Sequence, residues 1–272
     1  MMRVLGRLVC LVSVGLLGCS GMNVAQQQSQ EPQQQTQAQT TVGVMPAPKD
    51  ARTRAKVHTE LGSLYFQDGK LIIALEELTL AAAIDPDYAP AFSTRGLILY
   101  HVKEFDSAEK DFRRALTLDP RNSDINNNFG WFLCHTGRAG EAIAYFEQAL
   151  GNSLYQTPEL AYMNAGECLV QLGQLDRAED YLRRALRLSP ENPQALFHLA
   201  TVFYKRGNYD AARKQLLAAA RYSSPGPQLL WLSLRVERRL GNKADEESLA
   251  AQLRRRFPDS SEYQAYLKGD FE

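Results

Sequence analysis

The chain has 272 residues, enough for one large domain or two small ones. Hydrophobic residues make up 44% and charged residues 23%, an ordinary globular balance. Lysine plus arginine and aspartate plus glutamate both number 31, so no global charge draws the chain to nucleic acid or to an acidic membrane surface.

The N-terminus reads as a targeting signal over residues 1–18. Arg3 and Arg7 precede an apolar run, Leu8–Leu17, that is too short to span a bilayer. It runs into Leu16-Leu17-Gly18-Cys19. This resembles the lipobox of bacterial lipoproteins, in which the cysteine is lipidated and becomes the new N-terminus. Leu17 is bulkier than the residue usual there. The resemblance implies lipid on Cys19, and Ser20 in place of aspartate implies sorting to the outer membrane. Each buried CH₂ contributes about 0.8 kcal/mol, so several acyl chains hold a protein where one does not.

Residues 19–50 read as a lipidated end followed by a disordered tether. Nine glutamines fall within 26–39, with no aromatic or branched aliphatic residue. Such a stretch cannot bury enough apolar surface to offset chain entropy. About thirty such residues span roughly 30 Å on average.

From Ala55 the sequence repeats at 34 residues, the period of a tetratricopeptide unit. The repeats are 55–88, 89–122, 123–158, 159–192, 193–226 and 227–260, with 261–272 as a cap. The expected fold is all-α, a superhelical solenoid of six helix-turn-helix units and a C-terminal capping helix. Each unit pairs a helix A with a helix B. Small residues belong at positions 8, 20 and 27, where the helices approach. Gly130, Ala142 and Ala149 of unit three show the pattern. A turn glycine recurs at position 15, and Lys103 is the exception. Unit three is two residues longer than the others, which predicts altered stacking between units three and four. Unit six has Leu234, Glu246 and Leu253 at the small positions, which predicts looser packing or a different angle. Tyr263, Tyr266 and Leu267 fit a short helix folded on the last unit.

Positions 2, 5, 9, 12 and 13 of helix A line the concave face of such an array. They supply a candidate partner-binding groove of Leu97, Tyr100, Asn127, Trp131, Met163, Phe197, Tyr204 and Trp231. Trp and Tyr are common hot spots. Trp131 is the leading candidate, although neighbouring helices could cover it or Trp231. The Lys/Asn/Arg clamp that grips a terminal carboxylate in chaperone-binding arrays is absent.

Catalytic chemistry is not indicated. His101 and His135 share a position in adjacent units, but helices roughly 8–10 Å apart do not bring both to one zinc unaided. Cys134 and Cys168 sit at positions 12 and 10 of adjacent A helices and read as two small packing residues rather than a disulfide. Arg254–Arg256 read as a solvated helix end. No phosphate loop, dinucleotide turn or nucleophile elbow is present. The expectation is a protein that is not an enzyme, has no metal or cofactor beyond the lipid, and takes no small-molecule substrate.

Asn127-Asn128-Phe129-Gly130, Phe132-Leu133-Cys134, Ala149-Leu150, the widened loop at Leu154-Tyr155, and Arg256-Phe257-Pro258-Asp259-Ser260 running into Glu262-Tyr263 together resemble the PilF/PilW family of type IV pilus lipoproteins. That resemblance implies a pilotin. Such a protein is an adaptor anchored on the periplasmic face of the outer membrane that helps the pilus secretin localise and form its multimer. The alternative from the same features is a periplasmic adaptor lipoprotein that recruits or regulates peptidoglycan-active enzymes.

Overall fold

Helix α8, Leu175–Leu188, shows how the sequence builds the array. Ala178, Leu182 and Ala185 recur at spacings of three and four and are the residues that α8 buries. Asp176 in the first turn and Arg187 in the last complement the helix dipole. Pro190, two residues beyond the helix, cannot continue it.

A computed structural model describes residues 50–271, all of which fall in one unit spanning Ala47–Glu272. The lipobox and most of the tether lie outside the described residues. The described residues form thirteen α-helices and no strand, an all-α solenoid. The pairs are α1 Ala51–Gln67 with α2 Leu71–Ile84, α3 Ala89–His101 with α4 Phe105–Leu118, and α5 Ser123–His135 with α6 Ala139–Leu150. They continue with α7 Pro158–Gln171 and α8, α9 Pro193–Lys205 and α10 Tyr209–Tyr222, and α11 Pro227–Leu240 and α12 Lys243–Arg256. The cap α13, Ser261–Lys268, packs on α11 and α12.

The pairing rests on position 8 facing position 24. A Cβ added to Gly166 would lie 2.6 Å from Leu182 Cγ, and one on Gly130 would lie 2.9 Å from Phe146 Cε1. Units one and two repeat the arrangement with Leu78 and Phe112. Unit six reverses the sizes, with Leu234 at position 8 and Ala250 at position 24, both buried. Inside unit six, then, the small residue has moved to the other helix. The looseness expected there shows inside the unit, where α11 meets α12 less extensively than the helix pairs of the other units meet, and again at its border, where α9 and α11 meet less closely than other neighbouring A helices. A crevice of about 360 Å³ also opens among α10, α11 and α12.

One expectation is refined and one is corrected. The extra length of unit three leaves the A helices in place, since α5 packs on α7 as α3 packs on α5, while α6 meets α7 more extensively than any other helix B meets the next helix A. The loop between them carries the two added residues. Tyr155 tucks in against Ala149 and Ala161, and Asn152 Nδ2 donates to Ser123 Oγ at 3.1 Å. The cysteines are not independent packing residues. Cys134 and Cys168 form a disulfide with Cα atoms 5.8 Å apart. Position 12 of α5 thus faces position 10 of α7.

The unit-two turn holds Lys103 at φ 68°, in the left-handed conformation that glycine takes at the equivalent turns. That geometry costs an L-residue about 1–2 kcal/mol. Lys103→Gly is expected to stabilise the fold by about 1 kcal/mol, part of the gain being offset by a freer unfolded chain. Denaturant unfolding measures it, and no gain would show that the turn is unstrained.

Candidate partner-binding groove

The pairing of positions between successive A helices repeats, and it assembles the concave face. Position 13 of one helix meets position 9 of the next. By this register the His101 ring lies 6.0 Å from that of Trp131, and His135 Nε2 lies 3.4 Å from Glu167 Oε1. Position 5 meets position 6, so Asn128 Nδ2 donates to Ser93 Oγ at 3.2 Å and Asn164 Nδ2 donates to Asn127 Oδ1 at 3.0 Å.

Trp131 is the centre of an aromatic cluster. It stacks on His135 at 4.3 Å and on His101 at 6.0 Å, and it meets Tyr100 edge-on at 4.8 Å. Such pairs contribute about 0.5–1.5 kcal/mol beyond burial. The indole is half-buried and keeps one border on a groove of about 610 Å³. Met163, Phe197, His135, Glu167 and His198 line the same groove, and the α10–α11 linker closes it at Ser223 and Gly226.

Glu167 links two histidines. Its carboxylate faces His135 on one side and His198 Nε2, 3.7 Å away, on the other. His135 Nδ1 donates to the Trp131 carbonyl at 2.9 Å. Both nitrogens of His135 therefore face acceptors, an arrangement that only the imidazolium satisfies fully. Burial pulls the His135 pKa down, but the hydrogen bonds to Glu167 and the Trp131 carbonyl outweigh it and leave it raised. His198 is lowered, chiefly by burial. His101 is lowered by burial and by the nearby His135. Burial alone would raise Glu167, yet its histidine partners hold it below the usual carboxylate value.

Of the eight groove residues read from the sequence, the structure brings Trp131, Met163 and Phe197 to one groove. Tyr100 and Leu97 pack against the core behind it. Asn127 is buried, with its amide engaged by Asn164, so it joins two helices rather than presenting to solvent. Tyr204 lies under the Arg235 guanidinium. Trp231 is covered by Phe271, at a ring separation of 5.4 Å.

Two features escaped the sequence reading. His198 lies at position 6, outside the positions taken as groove-facing. The first unit leaves Leu61, Leu64, Ile72, Ile73 and Leu80 exposed, Ile72 at 75%. The signal was present in α2, LIIALEELTLAAAI, which is apolar on more sides than one neighbour can bury. No group of three or more His, Cys, Asp or Glu among the described residues could hold a metal ion. No described helix is long and apolar enough to cross a membrane.

The tetratricopeptide repeat family matches residues 89–122, 112–144, 136–193, 163–227 and 197–261. The type IV pilus assembly protein PilF of Pseudomonas aeruginosa is 28% identical over 265 residues, covering 97% of this chain and 98% of PilF. The crystal structure of PilW, described as a widely conserved type IV pilus biogenesis factor, is 33% identical and superposes with a TM-score of 0.71 over 78% of this chain and 98% of PilW. The Pseudomonas aeruginosa PilF structure gives 27% identity and a TM-score of 0.68 over 80% and 99%. The chain belongs to the PilF/PilW family of tetratricopeptide-repeat proteins. In this PilF/PilW chain the A-helix face combines an aromatic–histidine groove in units three to five with a covered tryptophan in unit six.

The histidine pair carries a pH signature. His135 is raised in the folded state, so its stabilisation is complete below an unfolded value of about 6.5 and is lost as pH rises through the folded value. His198, lowered on folding, acts oppositely: stability falls as pH drops below its unfolded value. The chain has only four histidines, which makes their ring signals assignable by NMR. His135 should titrate above His101 and His198, and Glu167→Gln should lower it. An unchanged His135 midpoint in that variant would disprove the ion pair.

Proposed function

We propose that this protein is an outer-membrane pilotin of the type IV pilus, a non-enzymatic adaptor that assists secretin localisation and multimer assembly. The observation that carries the reading is similarity to PilF along nearly the whole chain. The surfaces support it. The groove around Trp131 and the exposed apolar flank of unit one are both suited to protein segments. Lipid on Cys19 anchors the protein on the periplasmic face, and residues 20–50 give the repeat array reach from the membrane.

Cys19→Ala is expected to release the protein from the outer membrane and to lower the amount of assembled secretin. Unchanged multimer levels would refute the pilotin role. A pull-down that recovers cell-wall hydrolases and no secretin would favour the peptidoglycan adaptor instead.

Trp131→Ala should weaken partner binding about thirtyfold, the cost of a hot spot of about 2 kcal/mol. Circular dichroism should show the helical array retained. Wild-type affinity in a folded variant would remove Trp131 from the interface.

A further inference from the structure

The A-helix face of unit six is filled by the chain's own C-terminus. Helix α13 ends at Lys268, and Gly269 takes a left-handed conformation with φ 73°. The Gly269 N–H donates to the Tyr266 carbonyl at 3.1 Å and the Asp270 N–H to the Ala265 carbonyl at 3.0 Å. These two bonds turn the chain back and deliver Phe271 onto α11. The Phe271 ring stacks on Trp231 at 5.4 Å with 29° between planes, and Tyr266 meets it edge-on at 6.1 Å. The Arg238 guanidinium lies 3.8 Å from the Phe271 ring centroid. Arg235 Nε donates to the Phe271 carbonyl at 3.1 Å, and its guanidinium rests on the Tyr204 ring at 4.6 Å.

Three residues of one helix, Trp231, Arg235 and Arg238, thus grip a single residue of an extended chain. The ring is held by stacking and cation–π attraction, and the backbone by a hydrogen bond to its carbonyl. They occupy positions 5, 9 and 12, which face the ligand side of a repeat array. The tail is bound as a peptide ligand is bound. Phe271 is only half-buried.

We propose that α11 carries a recognition site for an aromatic residue in an extended peptide, and that Phe271 is its displaceable occupant in the free protein. The partner is a protein segment with an aromatic residue followed by an acidic residue. Phe271 itself is followed by Glu272 in the sequence, and the positive charge comes from Arg235 and from Lys205, at position 13 of the preceding A helix, because Arg238 is paired with Glu246 at 2.7 Å. The inference rests on reading the A-helix face as protein-binding, and it adds a second locus with its own chemistry.

The test uses the purified full chain and a fluorescein-labelled peptide with the sequence of residues 263–272, followed by anisotropy. Phe271→Ala should bind the peptide at least tenfold more tightly than wild type, because the tethered tail competes at an effective concentration in the millimolar range. Adding Trp231→Ala should cut that binding tenfold or more, and a peptide with alanine for the phenylalanine should not bind. If Trp231→Ala fails to fold, Arg238→Ala makes the same comparison. Equal binding to wild type and Phe271→Ala, or binding that survives loss of the α11 side chains, overturns the proposal. Concentration-dependent dimerisation of wild type that Phe271→Ala abolishes also overturns it, in favour of tail exchange between copies. The readout is separate from secretin assembly. A negative peptide result with normal Cys19 dependence sinks this inference alone, and the reverse outcome sinks the pilotin reading alone.

Discussion

At positions 8 and 24 the two helices of a unit come so close that one side chain must nearly vanish. Gly62, Gly96, Gly130 and Gly166 each lie where an added Cβ would come within 3.0 Å of a buried Leu or Phe. Overpacking of this kind costs about 1–3 kcal/mol. The contact fixes how helix A sits on helix B, and therefore which residues of helix A remain for the next unit. A single pair cannot bury its remaining apolar face, so the units stack. The way one A helix lies against the next then sets every contact along the concave face.

This order of causes explains what the sequence revealed and what it concealed. Interactions inside one unit repeat at fixed spacing, so the small positions and the glycine turns are visible in the chain itself. Even the exception conforms, because Lys103 adopts the left-handed backbone that glycine takes elsewhere. Interactions between units depend on how one A helix lies against the next, which no single period encodes. Cys134 and Cys168 therefore read as unrelated, although their Cα atoms lie 5.8 Å apart. The same arrangement buries Asn127 against Asn164 and aligns Glu167 with His135 and His198. The tail of unit six was half legible. The capping helix follows from its tyrosine spacing, whereas the return of Phe271 onto Trp231 depends on the turn at Gly269.

The chemistry of the A-helix face changes along the array. Units two to four carry Tyr100, His101, Trp131 and His135, with the Glu167 carboxylate against His135. Units five and six carry Tyr204, Arg235, Trp231 and Arg238. Acidic partners for the arginines of the outer surface lie elsewhere, as in Arg138 with Glu109 at 2.9 Å and Arg177 with Glu147 at 3.1 Å. These exposed pairs contribute little stability individually. The two ends of the concave face differ in side-chain chemistry, and Arg238 at the unit-six end is itself paired with Glu246 at 2.7 Å.

The two regions also differ in how firmly they are built. Helices α5 and α7 are joined at three levels along their length: Asn127 with Asn164, Cys134 with Cys168, and His135 with Glu167. The covalent link spans 34 residues, a loop for which the chain-entropy relation gives about 4 kcal/mol of stabilisation. Trp131 projects from a helix pair whose register is fixed several times over, so a partner meeting it orders little that is not already ordered. Between α9 and α11 the link is lighter: Tyr204 under Arg235, with no covalent bridge. The buried core still runs through this border, with Leu232 and Val236 of α11 in the same cluster as Val202 and Phe203 of α9. The same solenoid therefore carries one stretch of A-helix face whose register is fixed several times over and one held by fewer contacts.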